Sequence, residues 1–456
     1  CYVLNNSYRP ASSLGYRNLR QERDEFGGHK LYRNDHDHFV DVSETAGIYG
    51  SVIGFGLGVT VGDVNQDNWP DLYVSNDFYE RDYLYINNQD GTYSEELENY
   101  MGHISMFSMG ADLADMNNDG YPEIFTTDML PLDPYRLKTL TAFETYDVYQ
   151  LRLKNGYYHQ FMRNMLHMNN KDGTFSEVGA LAGVDATDWS WGALMADFNN
   201  DLYKEIFVCN GIYKDVINQD FVEYLGGSDQ MRAAIEGKKI DFKQFTDNMP
   251  SVKLSNSMFA RTKDWQYKNV ASEWGLAEPS FSNGAAYGDL DNDGDLDLII
   301  NNVNQELFVY KNKSQEKLKH HYLAIKFSGL GKNTYGLGAS VKAFVAGEII
   351  YLDHMPIRGF QSSMDYKMLI GLGIQQQVDS LIVTWPDSRY QVLRSVRADQ
   401  LLNLKEEDAK LILKQRTQKS SSLLVQLNDT TIQHIENDFN DFDRDRLLYH
   451  MMSTLG

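Results

Sequence analysis

The chain has 456 residues, with 42 Lys and Arg against 64 Asp and Glu and a formal net charge of −22. That excess of acid excludes a nucleic-acid binder and a polybasic membrane-surface module, because both need a basic face to meet phosphate. Two cysteines exclude a disulfide scaffold, a hydrophobic share of 42% excludes wholesale disorder, and apolar runs such as Asp297-Leu-Ile-Ile300 are far too short to span a bilayer.

At the start of the chain, Tyr2-Val-Leu-Asn5, Lys30-Leu-Tyr-Arg-Asn34 and Phe39-Val-Asp-Val-Ser43 read as strands. They match the second half of a unit that repeats further on, with no first half in view. Cys1 has two readings: the lipid-bearing residue of a processed lipoprotein, or a residue interior to a blade whose earlier part lies upstream. The strand match favours the second and predicts further blades upstream.

From residue 63 a nine-residue acidic cassette recurs four times. Its copies are Asp63-Val-Asn65-Gln-Asp67-Asn-Trp-Pro-Asp71, Asp115-Met-Asn117-Asn-Asp119-Gly-Tyr-Pro-Glu123, Asp197-Phe-Asn199-Asn-Asp201-Leu-Tyr-Lys-Glu205 and Asp289-Leu-Asp291-Asn-Asp293-Gly-Asp-Leu-Asp297. A small-residue stretch precedes each copy (56–62, 110–114, 192–196, 284–288), and a β-branched or aromatic run follows it (72–76, 124–127, 206–210, 298–301). Asp90-Gly-Thr-Tyr93 and Asp172-Gly-Thr-Phe175 then supply a hairpin signal. Each unit is expected to run strand, acidic loop, strand, strand, hairpin, strand, which is the make-up of a propeller blade. About four and a half units are visible, against about seven blades expected of the complete ring.

Wider spacing of the later cassettes places insertions at 128–165 and 212–256. The first carries Tyr135, Tyr146, Tyr149, Tyr157, Tyr158, His159 and Phe161. These are read as packing over the propeller face, with a stacking surface for a sugar or partner as the alternative. The second reads as largely helical, with Phe221, Tyr224 and Leu225 at amphipathic spacing.

Carboxylates at positions 1, 3, 5 and 9, with a backbone carbonyl at 7, offer the six or seven hard oxygens that Ca²⁺ prefers. An EF-hand would need Glu at position 12 and a following helix. Position 12 is instead Val74, Thr126, Val208 or Ile300, inside strand-like runs. Position 6 calls for left-handed backbone, which Gly120 and Gly294 supply and Asn68 tolerates. Leu202 is a misfit there, so the third site is expected to be weak or empty. The fourth has the most negative ligand set and is expected to bind tightest.

With these motifs, residues 1–312 resemble the FG-GAP/VCBS repeat family, whose units form β-propeller blades with calcium in a loop between strands. The resemblance implies up to four structural Ca²⁺ sites. The ligands would be Asp63, Asn65, Asp67 and Asp71; Asp115, Asn117, Asp119 and Glu123; Asp197, Asn199, Asp201 and Glu205; and Asp289, Asp291, Asp293 and Asp297. Glu at position 9 of two cassettes departs from the usual Asp.

Residues 320–406 resemble an ASPIC/UnbV domain through Gly336-Leu-Gly-Ala-Ser-Val-Lys342, Arg358-Gly-Phe-Gln-Ser-Ser363, Ile370-Gly-Leu-Gly373 and Val378-Asp-Ser-Leu-Ile-Val-Thr-Trp-Pro-Asp387. The combination is similar to bacterial surface proteins and to the cartilage acidic protein family. It implies an extracellular or outer-membrane-surface location and association with nutrient-uptake systems. The expected architecture is all-β: propeller blades over 1–316, a small β domain over 317–408, and a linker with the start of a further repeat region over 409–456. Asp441, Asp443 and Asp445 mimic a cassette but are read as a solvated face.

The sequence holds no Gly-x-Ser-x-Gly elbow, His-Glu-x-x-His pair, phosphate-binding glycine loop or Cys-x-x-Cys. His320-His321 reads as a solvated pair at the domain boundary. His103, His159, His167 and His354 read as loop or packing residues, Trp189 and Trp191 as blade core, and Cys209 as a buried strand residue. The expected function is a non-catalytic ligand-binding or protein-assembly module, with a surface protein complex or glycan as partner. Membrane contact is expected only through a lipid anchor on the full-length protein. The alternative is a carbohydrate-active hydrolase or lyase, which requires a polar pocket with two carboxylates about 5–10 Å apart.

Overall fold

The computed structural model describes residues 1–7, 18–78, 80–141, 145–227, 242–262 and 265–412. Small and β-branched residues alternate through Gly56–Gly62, and this strand is fully buried at every second position. It pairs with Asp71–Asn76, then Tyr83–Asn87, then Tyr93–Glu95, all antiparallel. Two more units repeat the order. One is built from Ala111–Ala114, Glu123–Thr126, Met165–Asn169 and Phe175–Glu177. The other is built from Ser190–Ala196, Glu205–Asn210, Ser257–Arg261 and Tyr267–Asn269. A fourth unit has three strands, Ser282–Gly288, Asp297–Asn302 and Phe308–Tyr310. Ahead of them, Tyr2–Val3, Lys30–Asp35 and His38–Asp41 pair as the half-unit expected from the sequence.

The first strand of each of the four units packs beside that of the next. Thr60 Oγ1 donates to the Ala111 carbonyl at 2.7 Å, and the Met195 N–H donates to Asp112 Oδ2 at 2.7 Å. These inner strands surround an axis, and the cassettes all lie at their C-terminal ends.

The second domain stacks two sheets. One holds Met368–Gly373, His321–Ser328 and Gln400–Lys405. The other holds Glu348–Asp353, Ser340–Val345, Gln377–Thr384, Arg389–Arg397 and Leu411–Ile412. Between them Leu323, Ile325, Val341, Leu372, Leu381, Val383 and Trp385 are completely buried. Leu411 and Ile412 pair with Tyr390 and Arg389, so the domain runs past the expected boundary at 408. The cassette-like Asp441, Asp443 and Asp445 and the proposed lead-in to further repeats lie outside the described residues.

A hairpin of the second domain, Ile357–Arg358 with Ser362–Ser363, enters the axis of the repeat units. Its outward arm runs antiparallel to the inner strand of unit two. The Gly359 N–H donates to the Ala111 carbonyl at 3.1 Å, and Arg358 Nη1 donates to the Leu113 carbonyl at 2.7 Å. Its return arm follows unit four, with Ser362 beside Gly284, Met364 beside Tyr287 and Asp365 beside Gly288. Phe360 at the tip lies against Gly110 and Gly192. A Cβ on either glycine would stand 3.3 Å from the Phe360 Cβ, and on Gly110 it would also stand 2.6 Å from the Trp191 carbonyl oxygen. The small residues ahead of the cassettes therefore make room for the hairpin. Trp191, read as blade core, is half-buried with its ring 5.1 Å from that of Phe360.

The insertions leave from the opposite end of the units. Their helices are Pro134–Leu140 and Tyr146–Lys154 in the first, and Gln219–Gly227 and Phe242–Asn248 in the second. Pro134 opens its helix and Asp133 caps it by accepting the Arg136 N–H at 2.9 Å. The Arg136 side chain then bridges Asp188 of unit three and Asp215 of the second insertion. Tyr149 and Phe221 are buried, whereas Tyr135 and Tyr224 are exposed; the Leu225 side chain lies outside the described set.

Arg358 also donates to Asp112 Oδ1 at 2.8 Å, and both side chains are buried. Arg358→Met strands the Asp112 carboxylate away from water. It is expected to cost about 3–5 kcal/mol in urea unfolding, partly recovered by adding Asp112→Asn.

Candidate metal centre

The first three cassettes fold on one hydrogen-bond template, in which the carboxylate at position 1 accepts the N–H groups of positions 5 and 6; in the fourth the Asp293 N–H goes to Asp291 Oδ1 at 3.3 Å. Asp63 receives Asp67 at 3.0 Å and Asn68 at 2.8 Å; Asp115 receives Asp119 and Gly120 at 3.0 Å; Asp197 receives Asp201 at 3.0 Å and Leu202 at 2.9 Å. The amide oxygens of Asn65, Asn117 and Asn199 share the same position-5 N–H, which draws positions 1 and 3 together. In all four copies the position-9 carboxylate accepts the position-2 N–H: Asp71 from Val64, Glu123 from Met116, Glu205 from Phe198 and Asp297 from Leu290, at 2.6–3.0 Å. Glutamate serves here as well as aspartate does. Its second oxygen accepts the position-3 amide, Asn117 at 3.0 Å and Asn199 at 2.9 Å.

Positions 4 and 6 are left-handed in every copy, including Leu202 with φ 87°. Its side chain packs against the core of the second domain, which accounts for leucine where the loop itself calls for glycine.

The chemistry of this donor set suits a hard cation. Burial together with neighbouring carboxylates pushes Asp63 up to about 8, and burial dominates in raising Asp71 to about 7, Glu123 to about 8 and Asp197 to about 7. Crowded negative charge of this kind is relieved by a divalent ion with oxygen ligands. In the fourth cassette, carboxylate oxygens of Asp289, Asp291 and Asp293 all lie within 4.8 Å of one another, so this cluster could hold a metal ion.

Lysines divide the four sites. Lys311 pairs with Asp291 and, at 3.4 Å, with Asp293, while Lys367 meets Asp289 Oδ2 at 2.9 Å. Lys171 meets Asp119 at 3.0 Å, and buried Lys204 donates to the Asp115 carbonyl at 2.6 Å. Among the described residues, no ion pair involves Asp63, Asp67 or Asp71. Their cassette gains a further carboxylate from the second domain, because Asp353 is the main charge raising Asp63. The fourth cassette, most negative by sequence, is thus partly neutralised in the fold by Lys311 and Lys367, while the first has Asp353 and Lys342 beside it.

The second domain touches every cassette. Asn68 Nδ2 donates to the Trp385 carbonyl at 3.2 Å. The Tyr351 N–H donates to Asp115 Oδ2 at 3.2 Å, and the Ile349 N–H to the Asn118 carbonyl at 3.3 Å. At the third, the Gly373 N–H reaches the Asn200 carbonyl at 2.7 Å, and His320 Nδ1 lies 2.8 Å from the Asn199 carbonyl oxygen. At the fourth, Tyr322 covers Gly294 and Lys367 reaches Asp289 and Asn292. The cassettes also join one another: Asn118 Nδ2 donates to the Leu202 carbonyl at 3.0 Å, and Asn200 Nδ2 to the Gly294 carbonyl at 2.9 Å.

His320 and His321 are therefore not a solvated pair. The first rests on the third cassette, and the second meets Asp399 Oδ2 at 2.7 Å. The other histidines pack locally. His103 lies beside Arg163 and Glu177, His159 beside Tyr149, buried His167 against the His103 carbonyl and buried His354 against the Tyr335 carbonyl. Cys209 is buried, and burial raises its thiol. Between the domains, Asp115, Asp197, Lys204, Asp353, Arg358 and Lys367 help line a chamber of about 80 Å³, room for a few waters but not for a sugar ring. Sequence reasoning did not find Asp353, Lys204 or Lys367. Their signal lies in tertiary contacts between segments far apart in the chain.

Residues 63–126 match the model of the FG-GAP-like repeat, and residues 329–411 match that of the ASPIC and UnbV domain. The chain thus contains an FG-GAP-like repeat and an ASPIC/UnbV domain. No curated protein matches it. Among solved structures it is similar to a mutant Tc holotoxin pore of Photorhabdus luminescens, at 10% identity and a TM-score of 0.25, over 78% of this chain and 14% of that one. It is also similar to Trypanosoma rangeli sialidase in complex with sialic acid, at 11% identity and a TM-score of 0.21, over 80% of this chain and 56% of that one. Scores this low carry no argument, and the chain spans well under two thirds of either length.

Docking leaves no space at Gly371, where a Cβ would stand 2.2 Å from Asp197 Oδ2 and 2.6 Å from the Asn200 Cα. Gly371→Val is expected to lift the second domain from the third cassette and to cost about 1–3 kcal/mol, read by chemical denaturation.

Proposed function

We propose that this chain is a non-catalytic, extracellular or cell-surface module whose propeller blades are stabilised by Ca²⁺ and whose role is to bind a ligand or assemble a surface complex. The observation that carries this reading is the repetition, at four equivalent loops, of converging carboxylate and amide oxygens in a shielded, acid-rich setting. The fourth cassette, whose Asp289, Asp291 and Asp293 oxygens converge, and the first, where Asp353 stands beside Asp63, Asn65, Asp67 and Asp71, are the stronger sites. The third site, with Lys204 beside it and Leu202 at its turn, is the weakest. Calcium at extracellular, millimolar levels fills even modest sites, which suits a surface location. No helix among the described residues is long and apolar enough to cross a membrane. The outer-membrane nutrient-uptake setting rests on family resemblance alone.

Chelation is the test. At 1 mM Ca²⁺ and a dissociation constant of about 10 µM, one site adds about 2.7 kcal/mol. EDTA is expected to lower the melting temperature by several degrees, Ca²⁺ to restore it, and Asp63→Ala to shrink the difference. A melting curve identical in EDTA and Ca²⁺ overturns the calcium reading.

A further inference from the structure

Among the described residues, three of the four units close with an outer strand, and the fourth does not. The equivalence is set by the asparagine that ends the third strand. Asn87 N–H donates to Asp71 and its side chain to the Pro70 carbonyl; Asn312 N–H donates to Asp297 at 2.8 Å and its side chain to the Leu296 carbonyl at 3.0 Å. Asn87, Asn169 and Asn312 then each accept the N–H two residues on, at 2.9–3.0 Å. After that the units part. Asp-Gly-Thr turns the chain back in units one and two, whereas Gln315-Glu-Lys317 continues into the helix Ser314–Leu318. Tyr310 and the residues after it are left as an open sheet edge.

Beside that edge lies a cavity of about 430 Å³ lined by Phe198, Met258, Trp274, Leu276, Leu298 and Tyr310. In the complete units the outer strand places an aromatic ring inward: Phe175 and Tyr267 are buried, and Tyr93 is half-buried. Two residues on, a polar side chain closes the next turn, as Glu95, Glu177 and Asn269 do by accepting the N–H groups of Leu97, Gly179 and Ala271. The cavity of unit four is the corresponding aromatic socket without its ring. Lys313 and Lys317 stand exposed at its mouth.

We propose that this groove is a strand-accepting site for a partner protein. The occupant is an extended, acidic segment with an aromatic residue followed two positions later by Glu or Asp. It adds to the edge at Tyr310–Asn312, seats its ring in the socket and sets its acid against the lysines. This extends the assembly reading but does not depend on cation binding at the cassettes, so either can fail alone.

The probe is a synthetic peptide copying residues 170–180, Asn-Lys-Asp-Gly-Thr-Phe-Ser-Glu-Val-Gly-Ala. It is titrated into the full chain by fluorescence anisotropy in Ca²⁺ and in EDTA. Binding is expected to be saturable and to weaken about tenfold or more when the peptide phenylalanine becomes alanine. It is also expected to weaken in the Lys313→Glu/Lys317→Glu double variant, whose substitutions are at exposed positions and leave the fold in place by circular dichroism. Peptide binding that ignores both changes, or no binding, overturns the proposal. A photo-crosslinking amino acid at position 274 then reports the occupant. A crosslinked peptide supports the site, whereas a crosslinked second copy, or a crosslink to residues 413–456 of the same chain, overturns the assignment to a partner.

Discussion

Negative charge gathered at one rim of the repeat units is the constraint around which this molecule is arranged. Three cassettes place three carboxylates each in a loop of nine residues, the fourth places five, and the four loops lie side by side. Left to itself, such a rim is costly: burial first, and neighbouring carboxylates after it, push Asp63, Glu123 and Asp197 above the usual carboxylate range. The fold meets this charge in three ways. Backbone N–H groups point into each loop, lysines bond to the second and fourth and lie near the first and third, and the ASPIC/UnbV domain covers the whole rim.

The cover is more than a lid. Its contacts with the first three cassettes are made largely by backbone groups of the cap, which read the path of the loop, and those with the fourth by the side chains of Tyr322 and Lys367. The axial hairpin adds a second anchor among the inner strands of the units. Outbound it follows unit two, inbound it follows unit four, and Arg358 joins Asp112, which in turn holds the Met195 N–H of unit three. A loop that changes shape therefore disturbs a domain interface, and a disturbed interface exposes the loop. Leu202 shows the trade: strained backbone within its own cassette is offset by apolar contact with the cap.

The repeat architecture was legible in the sequence because its causes are local. Spacing of acids, glycine-rich inner strands and Asp-Gly-Thr turns each act within a few residues, so the units, their order and the half-unit at the start followed from them. The charged surroundings of each site did not, because counting acids in a loop ignores what the fold brings beside it. Lys311 and Lys367 meet the fourth cassette and Asp353 meets the first, and Lys367 and Asp353 come from segments far away in the chain. His320 and His321 were misread for the same reason, as their partners Asn199 and Asp399 lie 121 and 78 residues away. The Arg358-Gly-Phe-Gln-Ser-Ser363 motif was visible, but its meaning depended on glycines in other units.

Propellers are built around a central channel, which is the natural place to look for a ligand. Here the axis holds Phe360 against Gly110 and Gly192, with Trp191 beside it, and the cassette rim is covered. Two other surfaces remain. One is the insertion end, where Met109, Met129, Met162 and Trp189 form a buried cluster beneath half-buried Met106, Phe107 and Ile212, and where Arg136 locks both insertions to unit three. The other is the outer edge of the units. Three outer edges carry their own closing strand, so the edge at Tyr310 differs from its neighbours by sequence choice rather than by distance from the cap. Replacing Asp-Gly-Thr with Gln315-Glu-Lys317 turns a hairpin into a helix and gives up a strand. The same helix carries the chain directly into the ASPIC/UnbV domain. An exposed edge thus follows from the geometry that lets the cap reach the rim.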